Sequence, residues 1–181
     1  MPENEFLTRS GASPEDLIVV SGRLGNAALG LAQLRNEINL PEGLREICVD
    51  AILRPQPRLE LVAFLRQYAT AAIDISDGLV ADLGHLLGAS GCGAVIDRSR
   101  LPVDDWIREH DAFHYAIAAG DDYEICFCVS PDNRDAIETW NRQSTECPLT
   151  LIGEISETGF SVTQDGEPVD YDQNNGFRHF G

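Results

Sequence analysis

Ala71-Ala72-Ile73-Asp74-Ile75-Ser76-Asp77-Gly78-Leu79 constrains this chain more than any other stretch: an apolar run takes on two carboxylates and a hydroxyl, then passes directly into a helical pattern. Aspartate is depleted in strands, and a buried, unpaired carboxylate is costly. An Asp inside an alanine/isoleucine run therefore asks for a partner, and a divalent cation suits two converging carboxylates. Strand alternation places Asp74 and Ser76 on one face, while Asp77 falls in the first turn of the helix that follows. The spacing predicts a strand-to-helix junction that offers carboxylates, a hydroxyl and backbone N–H groups to a metal ion and a phosphate.

Around this junction the hydrophobic period switches repeatedly between that of a strand and that of a helix. Leu17 to Val20, Cys92 to Asp97, Ile125 to Val129 and Leu149 to Ile155 read as strands. Ala27 to Asn36, Leu44 to Leu53, Leu59 to Tyr68, Leu79 to Leu87 and Asp132 to Arg142 read as helices, with one more helix-like segment from Pro102 to Ala119. Pro55 and Pro57 stop the second helix. Residues 160–169, centred on Asp165-Gly166, read as a hairpin. The expected fold class is α/β (α+β): a layered sandwich with a mixed β-sheet covered by helices. Residues 1–15 have no periodicity and read as an arm or linker, and residues 16–181 as one α/β domain.

Thirteen basic against thirty acidic residues give a formal charge of −17. Binding to nucleic acid rests on Lys/Arg neutralising phosphates, so that partner class is excluded. No apolar run reaches membrane-span length and the N-terminus lacks a signal-peptide core, so a soluble, cytoplasmic protein without a membrane partner is expected. Cys48, Cys92, Cys126, Cys128 and Cys147 form an odd, scattered set without CxxC, which favours reduced and mostly buried thiols. Gly22, Gly25 and Gly30 match neither GxGxxG nor GxxxxGK[ST], and tight turning accounts for them.

The chemistry narrows to oxygen ligands. The four histidines (85, 110, 114 and 179) have no nucleophile motif around them, and His85 reads as a surface or packing residue. A second acidic junction, Gly120-Asp121-Asp122-Tyr123-Glu124, runs into the strand at Ile125, and the pattern leaves open whether the two junctions share a side. A carboxylate pair for acid–base hydrolysis is conceivable at Asp74/Asp77 or Asp121/Asp122. A DxSD strand end suits magnesium better, with phosphate oxygens completing the coordination. Arg9 is the natural additional cation, and its alternative is a solvated arm residue.

Leu7-Thr8-Arg9-Ser10-Gly11-Ala12, Ile73-Asp74-Ile75-Ser76-Asp77-Gly78-Leu79, Gly120-Asp121-Asp122-Tyr123-Glu124 and Gly176-Phe177-Arg178-His179-Phe180 resemble, in order, the landmarks of the thiamine-monophosphate kinase family. That family lies within the aminoimidazole-ribonucleotide synthetase-like superfamily, and the resemblance implies that superfamily's C-terminal-domain fold. It also implies ATP-dependent phosphorylation of thiamine monophosphate to thiamine diphosphate by in-line transfer with Mg2+. In residue terms it implies Mg2+ at Asp74 and Asp77, ATP contacts from Arg9 and Ser76, and contacts to thiamine monophosphate from Asp121 and Phe177. Asp121 stands where the family usually has Glu, which withdraws its carboxylate by one methylene.

Only the C-terminal half of that two-domain enzyme is resembled. The implied partners are then ATP, thiamine monophosphate, an N-terminal domain absent from this chain and, in the full-length enzyme, a second copy as a homodimer. Residues 1–15 would lead in from the absent domain, which carries most of the magnesium ligands, so the chain alone is expected to be inactive. The alternatives are a stand-alone phosphate- or thiamine-binding module without catalysis, or another ATP-using member of the superfamily.

Overall fold

The computed structural model describes residues 6–143 and 146–169. Seven strands form one sheet: β1 (Leu17–Ser21), β2 (Ala69–Ile75), β3 (Gly93–Asp97), β4 (Glu124–Val129), β5 (Leu149–Ser156), β6 (Phe160–Gln164) and β7 (Glu167–Pro168). Their spatial order is β2-β4-β1-β5-β3-β6-β7. Every pairing is antiparallel except β3 with β6, which is parallel and makes the sheet mixed. The expected hairpin around Asp165-Gly166 forms between β6 and β7.

Helices cover both faces. On one side α1 (Asn26–Leu34), α2 (Glu42–Leu53), α4 (Leu79–Ser90), α5 (Asp105–Glu109) and α6 (His114–Ile117) contribute Leu29, Cys48, Leu83, Leu86, Ile107 and Ala116 to the larger core. On the other side α3 (Val62–Tyr68) and α7 (Arg134–Gln143) close a smaller core around Phe64, Phe127 and Ile137. There the Phe64 ring lies 4.9 Å from that of Tyr68, 5.5 Å from Trp140 and 6.1 Å from Phe127. Such tilted and edge-on pairs add to the area they bury.

The segment expected as one helix-like run from Pro102 to Ala119 is two short helices. α5 ends at His110, whose backbone N–H donates to Trp106 O, and Asp111 then adopts a left-handed conformation (φ 48°) that turns the chain. Helical periodicity survives across such a break because both pieces face the same core, so spacing alone does not reveal it.

β2 is an edge strand, and its position sets the geometry of the site. Residues 8–12 run along its outer edge. Ala72 N–H donates to Thr8 O at 3.0 Å, and Ser90 Oγ, at the end of α4, holds Arg9 O at 3.2 Å and Ala12 N–H at 3.3 Å. An edge strand would otherwise present these backbone groups unpaired.

Candidate functional site: an open acidic turn beside a closed one

The two acidic junctions meet. Antiparallel pairing sets Asp74 opposite Ile125 and Ile75 opposite Glu124, so the end of β2 adjoins the start of β4. Backbone bonds tie the turns directly: Asp121 N–H donates to Ser76 O and Tyr123 N–H to Ile75 O, each at 2.9 Å. Gly120 allows this approach, because a Cβ there would stand 2.1 Å from Ser76 O. Asp121 and Tyr123 both take left-handed backbone conformations (φ 70° and 51°), a costly pair for non-glycine residues.

Asp74 corrects one premise. It is exposed, because it lies on the edge strand, so the burial cost does not apply to it. The buried carboxylate is Asp82, only 3 % exposed, on the first turn of α4. Its Oδ2 accepts from Ser76 N–H and Asp77 N–H, both at 2.9 Å, which fixes the turn that carries the hydroxyl and the second carboxylate. Burial, with Asp77 and Asp74 nearby, holds Asp82 above the usual carboxylate range against the pull of those two N–H bonds. A carboxylate on a helix's apolar stripe, between Leu79 and Leu83, was the available sequence signal for it.

An open cleft of about 740 Å3 wraps the free edge of β2 beside this turn, a volume suited to a small ligand. Arg9, Asp74, Ser76, Asp77, Asp82 and His85 supply its polar lining, and Leu65, Ala72, Ile73 and Ile125 much of its apolar lining. Four of the expected site residues therefore come together. The Arg9 guanidinium makes no hydrogen bond or ion pair with another described residue, although the chain carries thirty acidic side chains. Asp121 joins the site only through its backbone, since its side chain is half-buried and outside the cleft lining. Phe177 lies outside the described residues.

The second turn directs Asp122 and Glu124 inward. Asp122 accepts from Gly25 N–H at 2.8 Å and Ala27 N–H at 3.4 Å, serving the N-terminus of α1, which lacks a capping side chain of its own. Burial pushes Asp122 up to about 7, with Glu124 and Asp121 adding to the rise and the two N–H bonds opposing it. Glu124, 3 % exposed, is bound by the Arg58 guanidinium through Nε at 2.7 Å and through Nη2, and accepts from Ser21 Oγ at 2.5 Å. These carboxylates hold the fold.

Known proteins place the chain in a family. A model of the AIR synthase related protein, C-terminal domain, matches residues 13–165. The chain belongs to that family. The thiamine-monophosphate kinase of Salmonella typhimurium is 41 % identical over 187 aligned residues, which cover 99 % of this chain and 57 % of the relative. The chain thus spans just over half the length of the curated relatives it matches. Among solved structures, a thiamine-monophosphate kinase from Stenotrophomonas maltophilia superposes with a TM-score of 0.79 at 38 % identity, covering 93 % of this chain and 56 % of its own. AaThiL complexed with AMPPCP and TMP gives 0.77 at 32 % identity, covering 97 % and 55 %. The family match contains Asp74, Ser76, Asp77, Asp82, His85 and Asp121, whereas Arg9 precedes it.

The donor set at the open turn fits a hard divalent cation in part. Asp74 and Asp77 are oxygen ligands lining one cleft, but among the described residues no group of three or more His, Cys, Asp or Glu side chains is placed to hold a metal by itself. Magnesium tolerates this, because it is commonly bound by one or two carboxylates together with waters and phosphate oxygens. The cysteines belong to the packing. All five are free thiols, four of them buried, and burial pushes Cys48 and Cys126 up to about 12 and Cys147 up to about 11. Among the described residues no helix is long and apolar enough to cross a membrane.

Proposed function

We propose that this chain is the C-terminal share of an ATP-dependent kinase that converts thiamine monophosphate to thiamine diphosphate, and that the cleft along β2 holds its magnesium–nucleotide end. The observation that carries this reading is the cleft itself: Asp74, Ser76 and Asp77 line it together with an arginine whose guanidinium has no hydrogen bond or ion pair among the described residues. The fold likeness to AaThiL complexed with AMPPCP and TMP supports the choice of ligands.

In this reading Asp74 and Asp77 would hold Mg2+, which would neutralise phosphate charge when bound. Ser76 donates its hydroxyl to a phosphate oxygen, and Arg9 brings a guanidinium fork to the same chain of phosphates. Asp82 keeps Ser76 and Asp77 oriented by holding both backbone N–H groups. Asp121, tied to Ser76 through its backbone, is assigned to the thiamine end, and so is Phe177. Residues 1–15 lead in from a preceding domain that supplies the remaining metal ligands and the contacts of a homodimer. The chain by itself binds nucleotide weakly and does not turn it over.

Parallel assays of this chain and of a two-domain enzyme, with ATP, thiamine monophosphate and a magnesium titration, test the proposal. Turnover should require the longer protein. Turnover by this chain at the two-domain rate would contradict the division of the site, and binding of thiamine monophosphate without any magnesium–nucleotide binding would favour a stand-alone thiamine-binding module.

A further inference from the structure

His85, expected to be a surface or packing residue, is at the surface, and it lies in the cleft. It is exposed on α4 and lines the same cleft as Arg9, Asp74, Ser76, Asp77 and Asp82. Its ring forms no hydrogen bond, ion pair or ring contact with another described residue. The contrast with the other described histidines is clear. His110 Nδ1 meets Trp106 O at 2.9 Å with its ring stacked on the indole, and the His114 ring packs at 4.1 Å on Tyr115.

Position along α4 gives the vacant ring a direction. Asp82, which holds the acidic turn, is three residues before His85, or about 4.5 Å along the helix axis. Ser90, which holds the backbone of Arg9, is five residues after it, or about 7.5 Å. His85 therefore lies, in height along α4, between the anchor of the carboxylate turn and the anchor of the free arginine. A ligand that reaches from Asp74 and Asp77 to Arg9 passes the level of this imidazole. The polyphosphate of a nucleoside triphosphate has that chemistry, with oxygens for metal-binding carboxylates at one end and for a cation at the other. Neutral or charged, imidazole has at least one N–H to donate to it.

Resting on the nucleotide reading of the cleft, we infer that His85 is a further phosphate-binding residue, donating to the polyphosphate between the metal-side carboxylates and Arg9. Its contribution falls on phosphate recognition and leaves folding untouched, because the exposed ring gives the described fold no hydrogen bond, ion pair or ring contact.

The test uses the chain as it is, titrated with Mg·AMPPNP and, separately, with adenosine, and followed by the imidazole NMR resonances of wild type, His85→Ala, His85→Gln and a His110→Ala control. In wild type the His85 resonances should move on addition of Mg·AMPPNP and not of adenosine. His85→Ala should weaken Mg·AMPPNP about tenfold, the range of one hydrogen bond to a charged group, with His85→Gln between the two and an unchanged melting temperature. His110→Ala should bind as wild type does. If wild type binds Mg·AMPPNP while His85→Ala binds it equally well, or if the His85 resonances stay still, the inference is overturned and the nucleotide reading stands. If wild type binds no Mg·AMPPNP even at millimolar concentration, both are overturned.

Discussion

At the end of β2, Asp74 and Asp77 border an open cleft lined also by Arg9, whose guanidinium is unpaired among the described residues. One strand away, Asp122 and Glu124 turn inward onto the N-terminus of α1 and onto Arg58. The two turns are both acidic and touch through their backbones, and they differ in how far their carboxylates are turned into the fold. The second turn has its donors in Gly25 and Ala27 N–H, Arg58 and Ser21. In the first turn Asp82 is held in that way, by Ser76 and Asp77 N–H, while Asp74 is exposed at the cleft. Acidity marks both places; an outward-facing carboxylate near an unused cation marks the one fit for a ligand.

The largest effect should come from breaking the closed turn. Arg58→Met leaves the buried Glu124 carboxylate without its cation, and urea denaturation should show a loss of about 3–5 kcal/mol. A loss below about 1 kcal/mol would mean that Glu124 is not structural and that the contrast between the turns is false. Next comes the anchor of the open turn. Asp82→Ala orphans the two N–H groups at Ser76 and Asp77, and the same measurement should show a loss of about 1–3 kcal/mol. Magnesium–nucleotide binding should weaken alongside it, because the ligand-facing residues lose their fixed orientation.

The pH dependence sharpens the comparison further. Asp122 is pushed up to about 7, while an unfolded aspartate titrates near ~4. Between these values the folded chain binds the extra proton, so this residue's contribution to stability is fully present at acid pH and is lost as pH rises towards 7. Asp122→Asn should flatten that slope in denaturation curves taken from pH 4 to pH 8. A slope that persists unchanged in the variant would assign it to another group. The smallest stability effect belongs to the open turn: Asp74→Asn should shift the unfolding free energy by less than about 0.5 kcal/mol, as expected of an exposed side chain with no structural partner.

Much of this was legible in the residues. Switching periodicity gave the layered sandwich, because buried strands such as Leu17–Ser21 and amphipathic helices carry different repeats. The DxSD spacing brought Asp74, Ser76 and Asp77 to one cleft because their relation is local, although Ser76 and Asp77 form a bend between β2 and α4 and not the strand's continuation and the helix's first turn. Relations across the chain were not legible. Nothing local says that β2 lies at the sheet's edge, so Asp74 was credited with a burial cost that falls on Asp82. The donors for Asp122 and Glu124 lie about a hundred and about sixty-six residues earlier in the chain, at Gly25 and Arg58, where no spacing rule reaches. His85 was set aside for want of a metal-ligand neighbour in sequence, whereas in space it lines the same cleft as an arginine from the opening arm.

The central claim is that the open turn recognises a magnesium-bound polyphosphate through groups the fold does not need. Calorimetric titration of Mg·AMPPNP into wild type and Asp74→Asn, across a magnesium series and beside a melting curve for each, tests it most directly. The account predicts nucleotide binding that rises with magnesium in wild type, falls about tenfold or more in Asp74→Asn, and leaves the melting temperature unchanged. Equal binding by the two proteins at every magnesium concentration, or a loss of binding matched by a loss of stability, would contradict it.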